Sequence, residues 1–199
     1  DDGEAIYDEL FTRINAALAK DFNAATVVKV TSDLIFGSQD KSGQIDSWKR
    51  FANTLKLKML LRQTESSRAA DATQKINNML SSGTAFLTGH AAISIFIDEA
   101  NRSNPLYENN VRQLNVATNI RASYTLMSLL QANNDPRLDA YFVPGSAGHF
   151  ALAQGDFNEL TSVTPGARPS SAKFSATAPC YFFSADEVDF MLAEASLRT

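Results

Sequence analysis

Residues 4–20, EAIYDELFTRINAALAK, place Ile6, Leu10, Ile14 and Leu18 at successive four-residue steps, and Tyr7 and Phe11 widen the stripe. This spacing predicts an amphipathic helix, with Asp1 and Asp2 placed ahead of it where its positive end favours carboxylates. The next stretch, DFNAATVVKVTSDLIFGSQDKSGQ, has β-branched residues and glycines but no helical period. It predicts an irregular loop with one short extended piece.

A second helical pattern follows in WKRFANTLKLKMLLRQTE, residues 48–65. At 100° per residue, Trp48, Phe51, Ala52, Leu55 and Met59 fall within about 100° of one another. Leu57, Leu60 and Leu61 form a second apolar face on the opposite side. The five cations do not make a stripe: Lys49 and Lys56 fall in one gap, Lys58 and Arg62 in the other, and Arg50 sits amid the second leucine face. A helix that binds phosphate or lipid segregates its charges. Two apolar faces instead predict a helix sandwiched between neighbours, its cationic stems leaving along the seams.

Residues 67–80, with Ala69, Ala72, Ile76, Met79 and Leu80, predict a third helix ending before Gly83, and Ala92–Ile97 predicts a short strand. Leu114, Ala117, Tyr124, Met127 and Leu130 predict a helix over 111–131, stopping near NNDP because Pro136 disfavours helical geometry at Asp135. Residues 142–183, punctuated by glycine and proline, show no period and predict a long irregular region of the kind that often carries function. SADE then predicts the start of a last helix, with Ser184 as N-cap, Glu187 reaching back, and Val188, Met191, Leu192 and Ala195 on the buried face. The sum is five helices joined by long loops, without a repeat of fixed period.

Composition narrows the class. The 199 residues carry 44% hydrophobic and 20% charged side chains and a net charge of −4, the profile of a globular protein without the cationic excess that general nucleic-acid binding needs. The longest apolar run, AAISIFI, is far below the roughly 20 residues of a membrane helix. Cys180 is the sole cysteine, so no internal disulfide can form. With no initiator Met or signal pattern, the sequence is expected to be a piece of a longer chain.

Catalytic signatures are absent from the sequence. His90, His149 and Cys180 lack zinc-site spacing, and no phosphate loop, dinucleotide fingerprint or Gly-x-Ser-x-Gly elbow occurs. His149 can be imagined as a base beside a serine, but a solvent-contacting loop histidine is the simpler expectation. Asp98 and Glu99 beside Arg102 suggest a surface ion pair, while Asp186 and Glu187 suit a helix start. More informative are rings in non-helical stretches: Tyr107, Tyr141, Phe142, Phe150, Phe157, Phe174, Tyr181, Phe182 and Phe183. Flat rings beside Asn, Asp and Arg suit sugars, whose C–H faces lie on the ring while polar groups meet the hydroxyls. Loop rings also anchor loops to a core, which is the expectation for 181–183.

Several stretches together resemble the SusD/RagB-type nutrient-binding outer-membrane lipoproteins. IYDELFTRINAAL resembles the family's helix ahead of its central segment. SDLIFGSQDKSGQIDSWKRFANTLKLKMLLR resembles a D-x-I-Y/F-G stretch leading to W-x-K/R-F-A-N-x-L-x-L-R/K, here with a longer link between Gly37 and Trp48. NDPRLDAYF resembles the D-P-R-L turn, and FFSADEVDFMLAEASLR the closing Ala-Glu-rich helix. The matches run in order along nearly the whole chain. The resemblance implies a mostly α-helical fold, tetratricopeptide-like helix pairs with long irregular loops, in a single domain over 1–199. It implies a non-enzymatic protein on the Gram-negative outer-membrane surface, held by a lipid anchor outside this sequence. Such a protein would deliver oligosaccharide or peptide to a SusC-like TonB-dependent transporter, with no cofactor, no nucleic-acid partner and an open question of metal. Family members are at least twice this length, and their ligand residues vary, so the candidates come from this sequence: Tyr107, Tyr141, Phe142, His149 and Phe150. A helical interaction scaffold and a glycan-active enzyme with paired carboxylates are the alternatives.

Overall fold

The structure is a computed structural model that describes residues 2–113, 120–155 and 168–199. Chain contacts divide it into two compact units, Asp1–Ser94 with Cys180–Thr199, and Ile95–Pro179.

In the first unit, α1 (Gly3–Leu18), α2 (Lys41–Leu61), α3 (Ala69–Ser81) and α7 (Ala185–Arg198) are arranged around α2, which touches each of the other three. Asp2 caps α1 by accepting the Glu4 amide at 3.1 Å. The second helix starts well before the predicted Trp48, because Asp40 accepts the Gly43 amide at 2.7 Å and opens the helix there. Its Leu57, Leu60 and Leu61 face packs with Ile76, Val188 and Met191 into the core. The other face is only partly covered: Trp48 remains open to solvent, while Phe51, Ala52 and Leu55 are half-buried. Buried Thr54 accepts the Leu87 amide at 3.0 Å, satisfying a polar group inside this core.

The cations of α2 leave in different directions, as their spacing predicts. Lys49 lies 4.4 Å from the centre of the Phe22 ring, Arg50 pairs with Asp46, Lys56 donates to Asn15, and Lys58 pairs with Glu187. No broad positive flank forms.

The loop ahead of α2 is irregular, as expected, and contains no strand. It is bolted to the helix through one carboxylate. Asp33 accepts the Ile35 and Phe36 amides on Oδ1, and Gln44 and Trp48 side-chain N–H groups on Oδ2 at 3.0 and 2.7 Å. Buried Gln44 also exchanges two 2.9 Å hydrogen bonds with the Val30 backbone. Gly37 is required because a Cβ there would lie 2.1 Å from the Asp33 carbonyl oxygen. The Asp-Leu-Ile-Phe-Gly and Trp motifs are therefore two halves of one structural lock.

The predicted strand is shorter than 92–97. It is β1 (Ala91–Ile93), paired antiparallel with β4 (Cys180–Phe183), in the region expected to be without structure. Phe183 anchors to the core as expected, whereas Tyr181 and Phe182 stay exposed. Ser184 caps α7 by accepting the Glu187 amide at 3.1 Å. The Glu187 carboxylate does not reach back, because Lys58 holds it.

The second unit contains a single turn α4 (Pro105–Tyr107), a π-helical segment (Glu108–Gln113), α5 (Tyr124–Ala132), α6 (Arg137–Tyr141), β2 (Phe142–Val143) and β3 (Ser171–Ala172). The predicted helix over 111–131 is not continuous: residues 120–123 are non-helical, since Arg121 and Ser123 bridge to Ser171 and Leu152. The Ala122 amide donates to the Ser170 carbonyl at 2.8 Å. Leu114 and Ala117 lie outside the described residues, as do Asp1 and Phe157. The stop at NNDP holds, with Asn134 at φ 48° and the Asp135 amide reaching back to the Leu130 carbonyl. Ala122, Met127, Leu130 and Phe142 form a small separate core. Strand β2 pairs antiparallel with β3, Phe142 opposite Ala172. Asp98 and Glu99 do form surface ion pairs, with Arg112 and Arg102 respectively.

Candidate functional site

A concentration of ring and charge lies around α6 in the second unit. The Asp-Pro-Arg turn builds it: Asp135 accepts the Arg137 amide at 2.9 Å and also receives its guanidinium, Nε lying 3.0 Å from each carboxylate oxygen. Arg137 holds the Asp135 carboxyl below its ordinary range, and in return Asp135, with Tyr141 nearby, raises the guanidinium further. Both charges are thus retained near Tyr141. The Tyr141 ring is 45% exposed and meets the Phe142 ring edge-on at 6.5 Å.

Two residues earlier on α6, Asp139 points outward with its side chain 85% exposed. It receives His149 Nε2 at 2.9 Å, while His149 Nδ1 lies 3.2 Å from Ser170 Oγ. If Nε2–H donates to the carboxylate, neutral Nδ1 accepts the serine hydroxyl proton, an assignment that follows from the hydrogen-bond network. His149 is therefore not the solvent-contacting loop histidine expected; its ring is pinned between a carboxylate and a buried serine. Lys173 donates to the Asp139 carbonyl and closes the other side of the turn.

These are the residue types of a hydrolytic triad with the exposures reversed. A nucleophile must meet substrate, yet Ser170 is 0% exposed and the carboxylate faces water. The arrangement is suited to orienting Asp139, not to acyl transfer. Arg121 is half-buried and donates to the Pro169 carbonyl at 2.9 Å; burial and then Arg168 lower its hold on the proton.

Of the five residues singled out in the sequence, Tyr141, Phe142 and His149 converge on this turn. Phe142 is 7% exposed and belongs to the small core, so it backs Tyr141 without offering its own face. Phe150 is half-buried, an edge carbon of its ring lying 3.3 Å from where a Cβ on Gly145 would stand. Tyr107 makes none of these contacts; it lies under the Arg112 guanidinium at 5.5 Å. Arg137, Asp139, Ser170 and Lys173 were missed. The Asp-Pro-Arg-Leu-Asp turn was visible in the sequence, but nothing there shows that residues 149, 170 and 173 return to it. No group of three or more His, Cys, Asp or Glu side chains that could hold a metal occurs among the described residues.

The class is now plain: a mostly helical scaffold whose irregular second unit presents a ring and paired charges. The model for SusD-like starch-binding proteins associating with the outer membrane matches residues 1–199, and the chain belongs to that family. None of the curated proteins matches. Among solved structures, a SusD homologue from Bacteroides thetaiotaomicron is similar at TM-score 0.71 and 19% identity over 100% of this chain. A SusD homologue from Bacteroides uniformis reaches 0.74 at 24% identity over 98%, and a chitin-binding protein 0.74 at 22% over 100%. They share the tetratricopeptide-like helical fold. This chain spans only 40% to 44% of the length of those three structures. No helix among the described residues is long and apolar enough to cross a membrane.

Proposed function

We propose that this chain is part of a non-catalytic cell-surface protein that binds an oligosaccharide and hands it to a SusC-like TonB-dependent barrel. The observation that carries the reading is the exposed Tyr141 ring, flanked by the Arg137–Asp135 pair and the outward Asp139 carboxylate. A ring covers the C–H face of a sugar while fixed charged groups meet its hydroxyls. The family description supports a glucan ligand, and the solved chitin-binding relative adds chitin-type oligosaccharides to the first ligands to try. A peptide is the alternative ligand. Attachment to the outer membrane by a lipid anchor and delivery to the barrel belong to the same proposal. The burial of Ser170 supports binding without catalysis.

Calorimetric titration with maltooligosaccharides and chitooligosaccharides tests it. Saturable binding that weakens about tenfold in Tyr141→Ala, a loss of about 1.4 kcal/mol, is the expected result. Binding unchanged by Tyr141→Ala, or reducing-sugar release by the purified chain, overturns it.

A helical interaction scaffold is the second reading, favoured by apolar side chains left in solvent on α1 and α7, among them Ile6, Leu10, Phe190 and Leu197. Tight association with a barrel partner and no affinity for any sugar or peptide would establish it in place of the first.

A further inference from the structure

A cavity of about 240 Å³ lies among α1, α2 and α3, lined by Lys56, Lys75, Asn15, Asn78, Phe11 and Leu60. None of these residues belongs to the surface around Tyr141. Lys56 is half-buried, and among the described residues no carboxylate lies within ion-pair distance of it. Its one bond goes from Nζ to the Asn15 side-chain oxygen at 2.8 Å. An ammonium has three donors, and the carboxamide uses one. Lys75, by contrast, is compensated by Asp71 at 2.7 Å and lies 5.9 Å from the Phe11 ring centre. Asp8, whose carboxyl feels Lys75, is already held by Arg68. The cavity thus keeps one uncompensated positive charge.

We infer that this cavity is a binding site for a small organic monoanion, a carboxylate on a body no larger than one sugar ring. Size and charge point the same way. The volume is below the roughly 300 Å³ at which pockets begin to hold drug-sized ligands. Leu60 and Phe11 supply apolar contact, while the Asn15 and Asn78 carboxamides supply donors for hydroxyls or the carboxylate. A phosphate dianion fits less well: no arginine fork lines the cavity, and Asn15 and Asn78 sit in the C-terminal turns of α1 and α3, whose partial negative charge opposes a double charge about twice as strongly as the single charge that Lys56 offsets. Burial lowers the hold of Lys56 on its proton, the mark of an ammonium without a partner anion. A bound carboxylate supplies that partner.

Sodium glucuronate is the probe, titrated by NMR or calorimetry into the 199-residue chain at neutral pH, with glucose and sodium phosphate at matched ionic strength. Saturable glucuronate binding is expected, with glucose and phosphate each about tenfold weaker or more. Lys56→Met should lose about tenfold in glucuronate affinity and still fold, because it replaces a poorly solvated charge with an apolar stem. Lys56→Arg, which keeps the charge, should retain binding, and Lys49→Met should behave as wild type. If Lys56→Met does not fold, Asn78→Leu replaces it with the same expected loss. No saturable binding, glucose or phosphate binding as tightly, or affinity indifferent to Lys56→Met overturns the inference. Oligosaccharide binding that depends on Tyr141 is unaffected in the Lys56 variants, so failure here leaves that reading standing.

Discussion

Single side chains in this protein hold loops through groups that sequence patterns do not announce. Asp33 is the clearest case. Burial alone would raise its carboxyl, but the Phe36 and Ile35 amides and the Trp48 and Gln44 side chains outweigh burial and hold it below its ordinary range. A depressed folded-state value means the stabilisation is complete above the unfolded carboxylate value of about 3.9 and is lost as pH falls through the folded-state value beneath it. Urea unfolding across the acid range should therefore show wild type losing stability more steeply than Asp33→Asn; parallel curves would refute this role. His149 is the second case. Removing it in His149→Ala strands the buried Ser170 hydroxyl and should lower the unfolding free energy by about 1–3 kcal/mol. An unfolding midpoint equal to wild type would mean that water replaces the imidazole. Trp48 and Asp33 stand out in the sequence as motif letters, but their hydrogen bond is not legible there, because they stand fifteen positions apart, on an irregular loop and on the helix that follows it.

At the scale of elements, local chemistry sets helix ends and tertiary contacts set helix interruptions. Ser184 lies at the start of α7 for a reason contained in four residues, and the serine half of the box forms as that pattern predicts, while Lys58 takes the Glu187 carboxylate that was to complete it. Ser184→Ala should cost about 1 kcal/mol, read as a lower thermal midpoint, whereas Glu187→Gln should act through Lys58 on α2 and not through the cap. Helix α2 starts before its apolar period because Asp40 and Gly43, loop residues by type, supply the cap: the aspartate accepts the amide that the glycine offers. The break at 120–123 has a different origin. Those residues lie inside a stretch of helical spacing, but their backbone pairs with Ser170, Ser171 and Leu152, which are distant in sequence. Helical period describes which face is apolar and says nothing about competing backbone partners.

At the scale of the molecule, the apolar surface is not fully internal. Phe190 and Leu197 are one heptad apart on α7 and are 78% and 89% exposed, and a cavity of about 490 Å³ beside Trp48, Phe51, Leu55, Leu18 and Phe22 is walled almost entirely by carbon. Exposed apolar surface of this kind marks contact sites or association. The chain alone should therefore self-associate at high concentration, and Phe190→Glu should shift sedimentation toward the monomer; an unchanged distribution would place the contact elsewhere.

The helical class, the buried faces of α3 and α7 and the leucine face of α2, the Ser184 cap, the dispersed cations of α2 and the family all follow from the sequence, because each depends on residue spacing within one element or on a motif preserved in order. The Asp33 lock, the orientation of Asp139 by His149 and Ser170, the retreat of Phe142 into a core and the lone ammonium of Lys56 were decided by tertiary structure. Each joins residues whose separation along the chain carries no periodic signal. Their meeting depends on how the backbone returns, and only the folded molecule specifies that.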